Sequence, residues 1–277
     1  MIIAFLISFT ACIVGAICGM GGGVIIKPVL DFIQFGTASQ ISFMSGCTVL
    51  AMTTYSVGKS LKSGEKTVDV KTATPLAVGA AIGGVIGKTL FNTLRDMFAN
   101  RQMVGAVQAA ALAVITLATL IYTINKEKIT TRKVTGPVAC CVIGLALGVV
   151  SSFLGIGGGP INLVVLYYFF SMQTKTAAAN SLYIILFSQL ASVLSTFVTG
   201  VPEINLFSLL LMMTGGVCGG ITGRKLTKKM DNKAVDKLFI MLMVFIILIS
   251  CYNAWNYATP AMILPQRTND SVFVVIG

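Results

Sequence analysis

The chain has 277 residues, of which 56% are hydrophobic and 10% charged, against roughly 25% charged in ordinary soluble domains; that excludes a soluble globular domain. Its net charge of +11 does not indicate nucleic acid, because the Lys and Arg residues sit in short stretches between apolar runs and no basic stripe interleaved with aromatics is present. The chain has no His, which removes histidine-dependent nucleophilic catalysis, and its apolar runs hold too few acids for a catalytic carboxylate pair, so an enzyme is not expected.

In chain order, the apolar run from Ile2 to about residue 36 is interrupted by Gly19-Met20-Gly21-Gly22-Gly23. It has no basic region ahead of it and is therefore expected to be retained rather than cleaved as a signal peptide. Helices are predicted over about 42–61, 71–93 and 101–124. A basic linker, Asn125 to Thr135, follows with Lys126, Lys128, Arg132 and Lys133. A second glycine-broken run covers about 136–171, and further helices are predicted over 177–199, 204–224 and 234–257. No Asp, Glu, Lys or Arg lies between Thr176 and Val201, enough chain to cross a hydrocarbon core of about 20 helical residues. The tail after Tyr257, with Pro260 and Pro265, receives no assignment. The seven cysteines include no CxxC pair and read as small packing residues; no metal and no cofactor is expected.

The chain is written twice. Gly19-Met20-Gly21-Gly22-Gly23-Val24-Ile25 returns as Gly155-Ile156-Gly157-Gly158-Gly159-Pro160-Ile161, an offset of 136 residues. The register continues through Ser45 and Ser181, Ser56 and Ser192, Gly79 and Gly215, Gly83 and Gly219, Gly87 and Gly223, and Lys88 and Arg224. This divides the chain into a first membrane repeat (1–124), a basic cytoplasmic linker (125–135), a second membrane repeat (136–257) and a C-terminal tail (258–277).

Charge decides the expected topology. Lys59, Lys62, Lys66 and Lys71 flank one loop of the first repeat, whereas the equivalent loop of the second, Gly200 to Asn205, has no positive charge. Conversely, Arg224, Lys225, Lys228, Lys229, Lys233 and Lys237 crowd the next loop of the second repeat. Equivalent loops on opposite sides mark an inverted repeat. The expected fold is an all-α integral membrane protein of two inverted repeats, each a glycine-broken re-entrant helical hairpin plus three transmembrane helices, with both termini outside. The alternative, eight simple transmembrane helices, splits the positive charge almost evenly between the two sides, against the positive-inside rule.

The glycine runs are the candidate site. Backbone broken inside a membrane survives only where it lines a cavity or binds something, and a helix starting after each break offers unpaired N–H groups and a positive dipole end to an anion. The candidate substrate-binding residues are Gly21, Gly22, Gly23, Gly157, Gly158 and Gly159. Lys27, Asn162, Ser45, Asn180, Ser181 and Gln189 are polar candidates beside them. Lys27 either holds the anion or pairs with Asp31 one turn on, and Asp31 is the candidate proton carrier. Ser188, Ser192 and Ser195 read as packing hydroxyls, and the Gly79/Gly83/Gly87 and Gly215/Gly219/Gly223 stripes read as helix-crossing surfaces.

The two G-x-G-G-G runs, the first continuing Val24-Ile25-Ile26-Lys27-Pro28-Val29-Leu30, resemble the TauE/SafE family of sulfite and organosulfonate exporters, and the resemblance extends to about Tyr257. It departs in the second copy, where Val164 stands for Pro28 and Pro160 directly follows the glycines. The resemblance implies a multi-pass inner (plasma) membrane transporter of small anionic sulfur compounds. The expected function is secondary transport of sulfite or an organosulfonate, with a passive anion channel as the alternative. The expected surroundings are membrane lipid and no nucleic acid, and a homo-oligomer is left open.

Overall fold

The computed structural model describes residues 2–63, 68–97, 101–154, 156 and 158–258. Ten α-helices run in order: α1 (Ile2–Cys18), α2 (Gly23–Phe32), α3 (Ala38–Lys62), α4 (Val70–Met97), α5 (Arg101–Asn125), α6 (Pro137–Phe153), α7 (Pro160–Phe170), α8 (Thr174–Thr199), α9 (Leu206–Lys229) and α10 (Asn232–Ala258). A 3₁₀ turn, Lys126–Lys128, follows α5. Residues 64–67 with Lys66, the second glycine run's members Gly155 and Gly157, and the tail from 259 lie outside the described residues.

Local chemistry sets the helix starts. Thr37 and Gln40 form a capping box on α3: the Thr37 N–H donates to Gln40 Oε1 at 2.9 Å, and the Gln40 N–H donates to Thr37 Oγ1 at 3.4 Å, so orphan donors at the helix start are satisfied reciprocally. Asn205 caps α9 by accepting from the Ser208 N–H at 3.1 Å. Pro137 and Pro160 occupy the first positions of α6 and α7, where the missing proline N–H has no partner to lose.

Among the described residues, five helices are long and apolar enough to cross a membrane: Val70–Phe91, Gly105–Lys128, Thr174–Thr199, Leu206–Lys229 and Asn232–Tyr257. Their outer faces carry large exposed apolar side chains, among them Val114, Ile121, Phe197, Leu206, Met241 and Trp255, as a lipid-facing surface requires. The α3 helix has 25 residues, ample for a span at 1.5 Å per residue, yet it is outside that set. The reason is its polar stripe: Ser45, Thr48, Thr53, Ser56 and Ser60 are all buried. Thr48 and Thr53 bond back to the carbonyls of Met44 and Val49, which satisfies them without a partner helix.

The two halves hold each other through glycine. On α4, a Cβ placed on Gly79, Gly83 or Gly87 would overlap the carbonyl oxygens of Cys141, Leu145 and Val149 on α6. Reciprocally, a Cβ on Gly144 or Gly148 of α6 would overlap the carbonyls of Leu76 and Ala80 on α4. The equivalent stripe on α9, Gly215, Gly219 and Gly223, lies against Phe5, Phe9 and Ile13 of α1. Between helices in lipid, such close approach maximises van der Waals contact where the hydrophobic effect gives little. Both stripes are crossing surfaces, as their spacing of four predicts.

Helices α3 and α8 lie antiparallel, as do α5 and α10. Ser56 and Ser60 near the end of α3 share a cavity with Lys175 and Ala178 at the start of α8, while Phe43 near the start of α3 stacks edge-on with Phe197 near the end of α8 at 6.1 Å. Likewise Gly105 near the start of α5 packs against the Tyr257 ring at the end of α10.

Candidate functional site

Each glycine run closes its preceding helix in the same way. The Met20 N–H donates to the Gly15 carbonyl at 3.1 Å, and at the equivalent position of the second half the Ile156 N–H donates to the Ser151 carbonyl at 3.2 Å. Gly21, with φ 68°, and Gly158, with φ 139°, then take backbone conformations that L side chains rarely adopt, which is the physical need for glycine there. Gly22 and Gly159 stand at the N-caps of α2 and α7, and neither helix start has a side-chain cap.

The two breaks abut. A Cβ on Gly23 would stand 2.9 Å from the Ile156 carbonyl oxygen and 3.3 Å from the Ser45 hydroxyl, and one on Gly159 would stand 3.5 Å from Val24 Cγ2. The first turns of α2 and α7 are therefore brought together, with the middles of α3 and α8 alongside. Val49 and Ile185, equivalent in the two halves, pack on the turns: Gly21 faces both side chains, and Gly158 faces Ile185 and, at 3.4 Å, Asn162 Nδ2.

Buried polar atoms without partners collect in the second half. Asn162 Oδ1 and the hydroxyls of Ser151, Ser152, Ser181 and Ser188 are buried with no hydrogen-bond partner. Buried polar groups are otherwise almost always satisfied. Ser152 and Ser188 converge beside Gly84 of α4, whose Cβ would stand 3.2 and 3.3 Å from their hydroxyls. Neither was singled out as a site residue from sequence, although the Ser151-Ser152 pair directly before the second break in an otherwise apolar run was a readable signal.

The other sequence candidates are distributed elsewhere. Lys27 is buried, and its ammonium donates to Gln108 Oε1 and to the Leu154 carbonyl, each at 3.0 Å. Gln108 in turn donates to the Phe153 carbonyl at 2.6 Å. Lys27 and Gln108 thus cap the carbonyl end of α6 just before the second break, where the helix dipole favours a cation. Asp31 does not form the i,i+4 ion pair: its buried Oδ1 has no hydrogen-bond partner, and it borders a small cavity of about 30 Å³ with Lys27, Ser250, Asn253 and Tyr257. Asn180 Oδ1 accepts from the Asp69 N–H at 3.0 Å, holding the approach to α4. Gln189 is buried, with Oε1 facing Gly46 of α3. Gly157 lies outside the described residues.

A larger cavity of about 300 Å³ opens between the end of α3, the start of α8 and the end of α9. Lys175, Arg224 and Lys228 line it together with Ser56, Ser60 and Thr227. Its wall includes Ala16 and Ala178, and Ala178 is the residue against which Gly19 of the first break packs.

The pattern of the family described as Sulfite exporter TauE/SafE matches residues 4–249, from within α1 into α10. The chain belongs to the TauE/SafE family. It is 27% identical over 270 residues to a probable membrane transporter protein, YunE, of Bacillus subtilis (strain 168), covering 90% of this chain and 96% of that one. It is also 27% identical over 117 residues to a probable membrane transporter protein, MamO, of Magnetospirillum gryphiswaldense, a match spanning 40% of this chain and 18% of that protein. No solved structure gives a significant match. Family, relatives and apolar helices agree on a multi-pass membrane protein of transport function.

Proposed function

We propose that this TauE/SafE protein is a secondary transporter that exports a small anion, sulfite or an organosulfonate, bound where the two glycine breaks meet. The observation that carries the reading is the abutment of the α2 and α7 starts around Gly23, Gly159 and Ser45, next to the unpartnered polar atoms of Asn162 and Ser181. Two helix N-termini with no side-chain caps supply oriented N–H donors and positive dipole ends to the oxygens of pyramidal sulfite or a tetrahedral sulfonate. A neutral cradle of this kind binds an anion and still releases it, because no full positive charge is committed to the bound state.

The architecture that fits transport is an inverted pair, residues 1–124 and 136–257, each a re-entrant hairpin followed by three helices. Support comes from equivalent helices lying antiparallel and from each hairpin packing on the other half, α1 on α9 and α6 on α4. The carbonyl end of α2 meets the end of α10, where Asn253 Nδ2 donates to the Pro28 carbonyl at 3.1 Å. The end of α7 meets the linker, where the Arg132 N–H donates to the Tyr168 carbonyl at 2.7 Å. Each hairpin then returns to the side it entered from, and the two enter from opposite sides. Loop charge puts the linker and the basic cavity in the cytoplasm, with both termini outside an inner membrane. The cavity accordingly receives substrate from the cell interior, which suits export.

Asp31 is the proposed proton carrier: it is a carboxyl with a buried, unpartnered oxygen, one turn from Lys27. Uptake of labelled sulfite and small sulfonates into proteoliposomes, with and without an imposed pH gradient, tests the assignment. Saturable uptake driven by the gradient is the expected result. Flux that only follows the anion's own electrochemical gradient makes the protein a channel.

A further inference from the structure

The basic residues that the internal repeat places in register make the same joint in both halves. Arg224 of α9 donates from Nη1 to the Ser56 carbonyl of α3 at 2.8 Å and from Nη2 to the Ser63 hydroxyl at 3.4 Å. Lys88 of α4 donates from Nζ to the Ser192 carbonyl of α8 at 3.0 Å, and also to the Thr196 hydroxyl. Lys88 and Arg224 are 136 residues apart in the sequence, as are Ser56 and Ser192, and Ser60 and Thr196. Each joint bridges from one half to the other, and the antiparallel course of α3 and α8 puts the two joints toward opposite ends of the molecule.

The joints differ in what surrounds them. At the Arg224 end, Ser60 lines the cavity of about 300 Å³ together with Lys175 and Lys228. Ser60 and Thr196 are both buried, and at the Lys88 end the Thr196 hydroxyl is held by the Lys88 ammonium. A cavity of that size holds several waters, so an anion can enter it partly hydrated. Three cationic side chains converging on one concavity attract and concentrate anions, and the guanidinium fork matches two oxygens of a sulfonate or sulfite at once.

We infer that Arg224, with Lys175 and Lys228, forms an oxyanion-capture site ahead of the glycine cradle, and that Lys88 is its counterpart at the opposite mouth. This rests on the transport reading for its purpose but not for its test. In the conformation described, a cavity of about 300 Å³ stands at the Arg224 joint, and the Lys88 ammonium holds the Thr196 hydroxyl. Bound oxyanion competes with the Ser56 carbonyl and the Ser63 hydroxyl for the Arg224 fork, and so loosens the joint on the side from which it arrives.

Cysteine labelling measures both halves of the claim without requiring transport. Exposed Cys218 and Cys251 are changed to Ala, and Ser60→Cys or Thr196→Cys is added in sealed vesicles of known orientation. The probes are the anionic reagent sulfonatoethyl methanethiosulfonate and its cationic trimethylammonium analogue. Ser60→Cys should react several-fold faster with the anionic probe, be protected by methanesulfonate, and lose about fivefold of that preference with Arg224→Gln, as expected from removing one nearby charge at intermediate dielectric. Arg224→Lys should retain the charge preference but lose most of the methanesulfonate protection. Thr196→Cys should be reachable only from the opposite membrane face. Equal rates for the two probes, no effect of Arg224→Gln, no labelling of Ser60→Cys, or labelling of both positions from one face would overturn the inference. Charge-selective labelling in a protein that moves no anion would leave the capture site standing and sink the transport reading instead.

Discussion

The Lys27 ammonium lies 3.0 Å from the carbonyl oxygen of Leu154, so a buried cation of the first half terminates the helix that leads into the second half's glycine break. With Gln108 Oε1 accepting from the same ammonium at 3.0 Å, the contact ties α2, α5 and α6 together beside the proposed cradle. A structural cation here makes a different prediction from one that touches substrate.

Replacing Lys27 with Met leaves the Leu154 carbonyl and Gln108 Oε1 buried without their donor. Hydrogen bonds to a charged group contribute about 1.5–3 kcal/mol each, so the variant should lose several degrees of thermal stability in detergent. Transport should fall at least tenfold in maximal rate, with the half-saturating concentration nearly unchanged. A large rise in that concentration at preserved stability would show instead that Lys27 holds the anion.

Gly23→Ala adds one methyl whose carbon would stand 2.9 Å from the Ile156 carbonyl oxygen, closer than real contacts allow. The protein should still insert, since α2 tolerates Ala at a helical position. Anion transport should drop by more than tenfold, read against the amount of folded protein on size-exclusion chromatography. Full transport by this variant would place the substrate elsewhere. Gly158→Ala, at φ 139°, adds backbone strain of about 1–3 kcal/mol and should also lower thermal stability.

The helix-crossing stripes predict a folding defect rather than a transport defect. A side chain on Gly83 would overlap the Leu145 carbonyl and one on Gly219 would meet the Phe9 carbonyl. Gly83→Val and Gly219→Val should therefore reduce the yield of monodisperse protein several-fold. Normal yield together with lost transport would mean that these faces move past each other during turnover.

A cluster at the linker end is expected to stabilise without touching substrate. Lys126 Nζ is 2.6 Å from Asp236 Oδ2 and 4.8 Å from the Tyr167 ring centroid, while Thr174 Oγ1 donates to Asp236 Oδ1 at 2.9 Å. The pair is partly exposed, at 22% and 20%, so a double-mutant cycle between Lys126→Met and Asp236→Asn should give a coupling of about 1 kcal/mol or less. Chemical denaturation of the four proteins measures it, and the affinity for transported anion should not change.

Much of the fold could be read from the residues because lipid leaves the chain few options. Unbroken apolar runs had to be helices, and Gly19 to Gly23 had to interrupt one. The 136-residue register named equivalent positions whose joints, Lys88 to Ser192 and Arg224 to Ser56, are built alike. What the residues did not reveal is set by contacts distant in sequence. Nothing near Lys27 points to Gln108 or Leu154, 81 and 127 residues away. Nothing near Asn180, a pathway candidate, points to the Asp69 N–H, 111 residues away, that donates to its side-chain Oδ1. Arg224 read only as topological charge, because a cavity shared by three helices has no local sequence pattern.

The central claim is that anions cross where α2 and α7 begin, and substrate flux through wild-type protein and the Gly23→Ala variant tests it most directly. Purified protein in proteoliposomes is given labelled sulfite, sulfoacetate and methanesulfonate, with and without a pH gradient, at matched amounts of folded protein. The account predicts saturable, gradient-driven uptake of at least one of these anions by the wild type, and loss of more than nine tenths of it in the variant. Equal flux through both proteins would contradict it.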